Sequence, residues 1–421
     1  MHKSTFDILR CPYCGSRLDL VTSSFHEVTG DEIQTGVLGC QCCVFPVVDG
    51  IPVMHLQPNA VAAKDLVEQK KPVEARRAMF GLEEHPAVAE RVDALIASPD
   101  ATYRAIVDAF GEYLEGGYFL YRFADPTFIV GHALVRAVGG TVLRGGGRAI
   151  DIAGGSGHLT RSLMDPTLFP GPPPVLNDLF YAKVWLARRF TAPGCEPVCS
   201  DGNSPMPFAR GVFRFAMCSD AFMYIWTKRQ FVLDLLRLID GQRPAAAMIS
   251  HTHNQCTWTT SHGQPLTPDG YRHLFETLEP RVFGESGLFA DIVGGGPLDL
   301  SRVDSGKTLL AEQALAIVAS TDPRVFTPHP LEPPPSQPAG EFHVNPLYTA
   351  DAGGGDTVRF RLRFPSDDYE QEYGACRRYL PEAVTIGRAD LDAFAAGRVP
   401  PGAEDLVRRR VVVDLPRRYG V

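Results

Sequence analysis

The stretch Ala149–Leu163, AIDIAGGSGHLTRSL, decides how this chain is read. Residues 149–153 are apolar apart from Asp151; the run breaks at Gly154, Gly155, Ser156 and Gly157 and resumes as HLTRSL, which reads as an opening helix. A strand, a glycine turn and a helix in that order make a cradle. Glycine admits a positive φ and lets a ligand approach where a Cβ would stand. The free N–H groups of a helix start suit the polar or anionic part of a nucleotide-like ligand. The GxGxxG spacing of dinucleotide sites needs a third glycine where this chain has Thr160, which disfavours a hydride-transfer enzyme. A turn that only packs a strand on a helix is the remaining alternative, and the downstream sequence decides against it.

Four further segments, PPVLNDLF, EPVCSDG, VFRFAMCSD and AAAMISHTHN, are apolar strand patterns ending in polar residues, with room for helices between them. That alternation predicts a parallel sheet with helices on both faces and ligands at the carboxyl ends of its strands. Asp178 closes the second strand 21 residues after Gly157, the distance at which an acid reaches a ribose hydroxyl pair. Asp201 and Gly202 close the third strand, where a carboxylate accepts from an adenine amine. Ser219 and Asp220 close the fourth.

On these motifs the chain from Thr141 to Ser320 resembles a class I S-adenosylmethionine-dependent methyltransferase. DIAGGSGH looks like the glycine-rich first motif, with Asp151, Gly154, Gly155 and Gly157; NDLF supplies the ribose acid Asp178 and Leu179; SDGNSPMPF supplies Asp201 and Gly202; FRFAMCSDAF is the fourth strand, with Ser219. The chain departs from the family at Arg214, where an acid usually follows the aromatic. The resemblance implies a Rossmann-like sheet, S-adenosylmethionine as cofactor, and methyl transfer.

Such a cofactor carries an activated methyl group, so the protein must align a nucleophile and exclude water. His251 and His253 end the fifth strand and, two apart, share a face; they are the candidate general base or orienting groups for an acceptor hydroxyl, against the alternative of structural histidines. Tyr224 and Asp220 are candidates for orienting them, and His158 for lying over the cofactor.

Five of the ten cysteines fall within the first 43 residues: Cys11, Cys14, Cys40, Cys42 and Cys43. The pairs Cys11/Cys14 and Cys40/Cys43 have the spacing of two knuckles that close a tetrahedral structural zinc site, with Cys42 as the spare thiol. ILRCPYCGSRLDL with GVLGCQCCVFPVVDGIPVM is similar to the small zinc-ribbon proteins that partner RNA and translation-factor methyltransferases, and to ribbons fused to some bacterial methyltransferases.

The expected organisation is a zinc ribbon over 1–57, a helical lid or substrate segment over 58–140, the methyltransferase domain over 141–320 and a C-terminal extension over 321–421. The lid ends in an aromatic run of Tyr118, Phe119, Tyr121, Phe123 and Phe128, and the extension follows the proline-rich PHPLEPPPSQPAG. Within the extension, VRFRLRFP reads as a strand with one buried face, and RRRVVVDLPRR as a solvated edge strand flanked by arginines. The chain has 421 residues, 44% hydrophobic and 21% charged, with a net charge of −8, which disfavours a nucleic-acid partner. No apolar run reaches bilayer length, so the expectation is a cytoplasmic enzyme with no membrane partner, acting on a small molecule: a secondary metabolite, sugar or peptide. An RNA methyltransferase and a non-catalytic nucleotide-binding module are the competing classes. Oligomeric state is not legible in the sequence.

Overall fold

A computed structural model of the chain describes residues 1–111, 117–259, 263–333, 335–351 and 355–420; the Tyr118 side chain of the aromatic run falls outside the described set. Seven strands form the central sheet: β1 (Ala149–Ile152), β2 (Val175–Asp178), β3 (Glu196–Cys199), β4 (Phe215–Ser219), β5 (Ala246–His253), β6 (Pro280–Gly284) and β7 (Ala314–Ser320). Their spatial order is 6-7-5-4-1-2-3. β1 to β5 pair in parallel, and β7 lies antiparallel between β5 and β6. This is the strand order of a Rossmann-like class I methyltransferase sheet. β1 to β3 are buried along their full length, as strands covered on both faces must be.

Three helices carry the crossovers that matter for the site: α1 (Tyr181–Leu186), prolonged by a π-helical stretch to Thr191, α2 (Lys228–Leu238) and α3 (Glu285–Gly294). The helix expected after the glycine turn is corrected to a single 3-10 turn, Thr160–Leu163. Prolines at 166, 170, 172, 173 and 174 explain this, because each removes an N–H that a continuing helix would need. Asp165 instead folds back to accept from the Thr167 amide and hydroxyl. His158 therefore precedes a 3-10 turn and caps no long helix.

The N-terminal segment is a small antiparallel sheet built on Glu32–Gly39 and Val44–Val48, flanked by Asp19–Leu20 and Ile51–Pro52. It runs straight into the edge of the large sheet. Val53 bridges Cys199 in parallel, the Met54 amide donates to the Cys199 carbonyl at 2.7 Å, and Leu9 bridges Phe208. Tyr181 and Trp185 on α1 donate to the Val48 carbonyl and the Asp49 carboxylate.

Helices Pro58–Glu68, Pro72–Phe80 and Pro86–Ala97 each begin on a proline, the residue whose missing N–H costs nothing in a first turn. Phe80 packs on Phe110, Tyr181 and Trp185, so this segment and α1 share one apolar core.

The C-terminal segment pairs Glu341–Val344 with Val412–Leu415 and builds a three-stranded sheet from Tyr348–Ala350, Thr357–Leu362 and Ala383–Gly387. On Thr357–Leu362 the buried face carries Phe360 and Leu362. The reading of RRRVVVDLPRR as a solvated strand is corrected: Val411, Val412, Val413 and Leu415 are buried, and Asp414 is paired to Arg161 beside the glycine turn. Apolar residues on consecutive positions, rather than alternate ones, are the mark of a strand covered on both faces. Among the described residues no helix is long and apolar enough to cross a membrane.

Candidate functional site

The chain leaves β1 at Ala153, which has φ +56°, and enters the glycine turn with Gly155 at +56° and Gly157 at +77°. The glycines answer different needs. A Cβ on Gly154 would stand 2.5 Å from Leu176 and 2.6 Å from the Asp151 carboxyl, and one on Gly157 would stand 2.8 Å from Ala187, so both let β2 and the α1 layer close on the turn. Gly155 looks outward, and a Cβ there would meet only the Phe119 ring at 3.7 Å.

Asp178, at the end of β2, is buried and accepts from the Gly155 amide and the Phe180 amide, both at 2.9 Å. Asp151 lies beneath the turn. One of its oxygens accepts from Thr160 Oγ1 at 2.7 Å, and the other is enclosed without a hydrogen-bond partner. Burial, opposed by that hydroxyl, raises its pKa to about 7. Leu179 follows at the mouth, its carbonyl accepting from the Cys199 thiol. Asp201 receives the Asn203 amide at 2.8 Å, and a Cβ on Gly202 would stand 2.9 Å from Ile225. Ser219 shares a hydroxyl contact with Ser250 at 2.9 Å, tying the ends of β4 and β5 together.

The turn is roofed by aromatic residues. His158 meets Phe119, Phe123 and Tyr419, and its Nε2 lies 3.0 Å from the Tyr419 hydroxyl, which donates to the Phe119 carbonyl at 2.9 Å. The last residues of the described chain thus stand over its glycine turn.

Across the sheet, His251 and His253 do converge, but by a different route from regular alternation. The register of β5 against β7 slips between Ile249 and Thr252, and His251 takes φ +47°. The side chain of Thr252 points inward to the Tyr271 hydroxyl at 2.9 Å, while the two imidazoles meet edge to face at 5.6 Å. Glu285, the first residue of α3, grips His251 twice: its carboxylate accepts from the backbone amide at 2.6 Å and lies 2.7 Å from Nδ1. Asp220, at φ +54°, stands 3.9 Å from His251 Nε2 and accepts from Arg122 at 2.6 Å; Arg122 also reaches Asp125 at 3.2 Å.

Burial pulls the His251 pKa down, but Glu285 and Asp220 overcome it and raise it to about 9. His253 is held below its ordinary value by burial and by His251, and its buried Nδ1 has no hydrogen-bond partner. Asp125 is fully enclosed, and burial outweighs Arg122 to raise it to about 6. Tyr224 lies on the 3-10 turn after β4 and is 49% exposed.

Arg122, Asp125 and Glu285 escaped the sequence reading. Asp125-Pro126 is a legible helix start, and Asp125 does cap the Phe128 amide at 2.7 Å. Nothing local to the sequence pairs Arg122 with Asp220, 98 residues away.

In the N-terminal segment four sulfurs gather: Cys11, Cys14, Cys40 and Cys42. Separations are 3.6 Å for Cys11–Cys42, 3.7 Å for Cys14–Cys40 and 3.4 Å for Cys40–Cys42. The edge of a tetrahedron with 2.3 Å metal–sulfur bonds is about 3.8 Å, so the set fits a four-coordinate metal. The fourth sulfur of this group is Cys42, and Cys43, the ligand expected from the spacing, is not among the four. Residues 40–43 form the turn between Gly39 and Val44, closed by a Cys40 amide to Cys43 carbonyl bond of 2.9 Å. Cys42 sits at the tip with its amide on the Cys40 sulfur, while Cys43 is the last residue of the turn and packs against the apolar core, its sulfur 3.4 Å from that of Cys42.

No protein-family model matches the chain, and no curated protein does. Solved structures similar to it include the YcgJ protein of Bacillus subtilis, at 16% identity over 45% of this chain and 97% of that one, with a TM-score of 0.31. Geranyl diphosphate C-methyltransferase of Streptomyces coelicolor is 12% identical over 45% and 76%, with a TM-score of 0.32. The complex of the Haloferax volcanii Trm112 methyltransferase activator with a candidate methyltransferase gives 15% identity over 57% and 98%, with a TM-score of 0.35.

Proposed function

We propose that the chain is an S-adenosylmethionine-dependent methyltransferase acting on an oxygen of a small molecule, such as a secondary metabolite, sugar or peptide. One observation carries the reading. The glycine turn, the ribose acid Asp178 and the adenine acid Asp201 stand at successive strand ends of a sheet with the 6-7-5-4-1-2-3 order. The next two strand ends carry a histidine–carboxylate cluster.

The residues present fit the cofactor. Asp178 and Asp201 offer carboxylates to hydroxyl and amine donors, and the orphaned oxygen of Asp151 beneath the turn is an acceptor without a donor. Gly154, Gly155, Gly157, Leu179, Gly202 and Ser219 would line the remaining wall. The cofactor supplies a methyl group on a sulfonium, which departs with the bonding pair on sulfur as a neutral thioether.

The chain's own task lies on the acceptor side. His253, held in its neutral form and with a ring nitrogen uncommitted, takes the acceptor hydroxyl's proton as the oxygen attacks, while His251, fixed by Glu285 and protonated, orients the acceptor, and Tyr224 flanks them at the rim. The cysteine cluster is a structural zinc site with all four positions filled by sulfur. The blocks 1–57, 58–140, 141–320 and 321–421 serve as metal ribbon, substrate segment, catalytic sheet and cover.

The test is calorimetric binding of S-adenosylhomocysteine, followed by transfer of labelled methyl from S-adenosylmethionine to a panel of hydroxylated small molecules, with tRNA and rRNA as controls. Binding and small-molecule labelling are expected. Binding without labelling of any acceptor would leave a nucleotide-binding module, and salt-sensitive labelling of RNA would select the RNA class.

A further inference from the structure

We propose that Asp220, His251 and His253 form a divalent-cation site at the carboxyl ends of β4 and β5, separate from the cysteine cluster and open to an acceptor oxygen. One ligand atom from each residue lies within 4.8 Å of the other two. Two imidazoles and one carboxylate on one side of an ion leave further positions free, the arrangement of sites that bind first-row divalent metals and a substrate together.

Three observations point to a ligand rather than to a self-satisfied salt-bridge network. First, His253 is 6% exposed, yet its enclosed Nδ1 has no hydrogen-bond partner. A buried nitrogen in that state costs free energy unless something binds it. Second, Glu285 holds the far side of His251. Its grip on Nδ1 at 2.7 Å leaves Nε2 facing Asp220 Oδ1 at 3.9 Å, too long for a hydrogen bond and within half an ångström or so of the span of two ligands on one ion. A carboxylate behind a histidine is the usual support for a metal-bound imidazole. Third, Asp220 and His251 both hold positive φ, at 54° and 47°, and neither is glycine. Non-glycine residues at positive φ cluster at active sites and ligand clamps.

Charge agrees with geometry. Arg122 binds one oxygen of Asp220 and reaches Asp125, while Glu285 pairs with His251, so three carboxylates stand against one guanidinium and one imidazole. The C-terminal segment brings Tyr369 and Tyr373 within electrostatic reach of Asp125 and Arg122, and sets the buried Arg410 near Asp125. A bound divalent ion would take the place of the proton on His251 Nε2, with Asp220 Oδ1 as ligand while Oδ2 stays on Arg122. With the ion bound the two imidazoles serve as ligands in place of a base: through the ion the cluster would hold the acceptor hydroxyl and lower its pKa, so that its proton passes to solvent, the Lewis-acid route to a nucleophilic oxygen. This role toward the acceptor rests on the methyltransferase reading; the cation site itself does not.

The experiment titrates Mn2+ into the full chain with its cysteine site loaded with zinc, following heat and the Mn2+ electron paramagnetic signal, with S-adenosylhomocysteine binding measured on the same samples. One Mn2+ per chain is expected. His253→Ala and Asp220→Asn should weaken Mn2+ binding at least tenfold. Glu285→Gln should weaken it by about 10- to 100-fold, as loss of a supporting carboxylate does. Circular dichroism and melting of each variant separate lost ligands from lost folding. Absence of Mn2+ and Co2+ binding at millimolar concentration, or equal binding by wild type and folded His253→Ala, would overturn the proposal while S-adenosylhomocysteine binding stands. Mn2+ binding without S-adenosylhomocysteine binding would keep the site and remove the methyltransferase reading.

Discussion

Replacing Asp178 separates two tasks that its carboxylate performs. It holds the glycine turn by accepting the Gly155 and Phe180 amides at 2.9 Å each, and it is 7% exposed. Alanine there leaves two amides without those acceptors in a place that water reaches poorly. Each orphaned group costs about 1–3 kcal/mol, and since one relaxed loop relieves part of the second, the pair together costs roughly 2–5 kcal/mol. Asp178→Asn keeps one carbonyl oxygen for one amide and turns an NH2 toward the other, so about half that loss is expected. The assays are urea unfolding and calorimetric titration with S-adenosylhomocysteine. In the alanine variant stability and affinity should fall together, affinity by about 10- to 100-fold, the worth of a hydrogen bond to a charged group. An asparagine variant that loses stability but binds as wild type would show that the carboxylate serves the turn alone. An alanine variant of unchanged stability would refute the hydrogen bonds themselves.

Two further outcomes follow from buried groups elsewhere. His158 is 4% exposed, and burial, with Arg122 and Arg161 nearby, lowers its pKa from 6.5 to about 3. The unfolded imidazole therefore takes its proton first: the stabilisation is complete above pH 6.5 and is lost as pH falls toward 3, at up to about 1.4 kcal/mol per pH unit. Urea midpoints measured between pH 7.5 and 4.5 should fall less steeply for His158→Gln than for wild type, and parallel curves would sink the assignment. In the cysteine cluster, Cys42→Ser should lower the metal content of the purified chain and its melting temperature together, whereas Cys43→Ser should keep the metal; elemental analysis giving the reverse would restore Cys43 as the ligand.

The strands of the sheet were legible because each is a short apolar run ending in polar residues, and that pattern is local. β1 to β5 fall inside the five quoted segments. What failed was read through the same local rules where a second constraint intervened. HLTRSL has helix-forming residues, but the prolines beginning at Pro166 leave space for only one 3-10 turn. Cys40-Gln41-Cys42-Cys43 satisfies both CxxC and CxC spacing, and only the folded hairpin turn brings the Cys42 sulfur together with those of Cys11, Cys14 and Cys40. The histidines were found by position, yet the features that give them chemistry come from elsewhere in the chain: Glu285 from the start of α3, Arg122 from the aromatic run. A spacing rule cannot anticipate such pairs, because sequence separation says nothing about which charges the fold encloses together.

The four blocks into which composition divides the chain are not four independent units, and the reason is the exposed parts of the sheet. β3 is an edge strand buried on both faces, and an open edge of that kind is a liability that folds must cover. The N-terminal segment covers it with Val53 and Met54, and with Thr5, whose hydroxyl donates to Glu196 on β3 at 2.8 Å. Glu196 is 3% exposed, so that hydroxyl satisfies a carboxylate that would otherwise be costly to bury. The carboxyl ends of the strands are covered in turn by the C-terminal segment, through Asp414 on Arg161 and Tyr419 on His158. Each cover carries polar groups that are satisfied only when docked. Loss of a metal from the proposed cysteine site should therefore loosen β3, whose end presents Asp201, so that the N-terminal segment would bear on the proposed cofactor wall without touching a ligand.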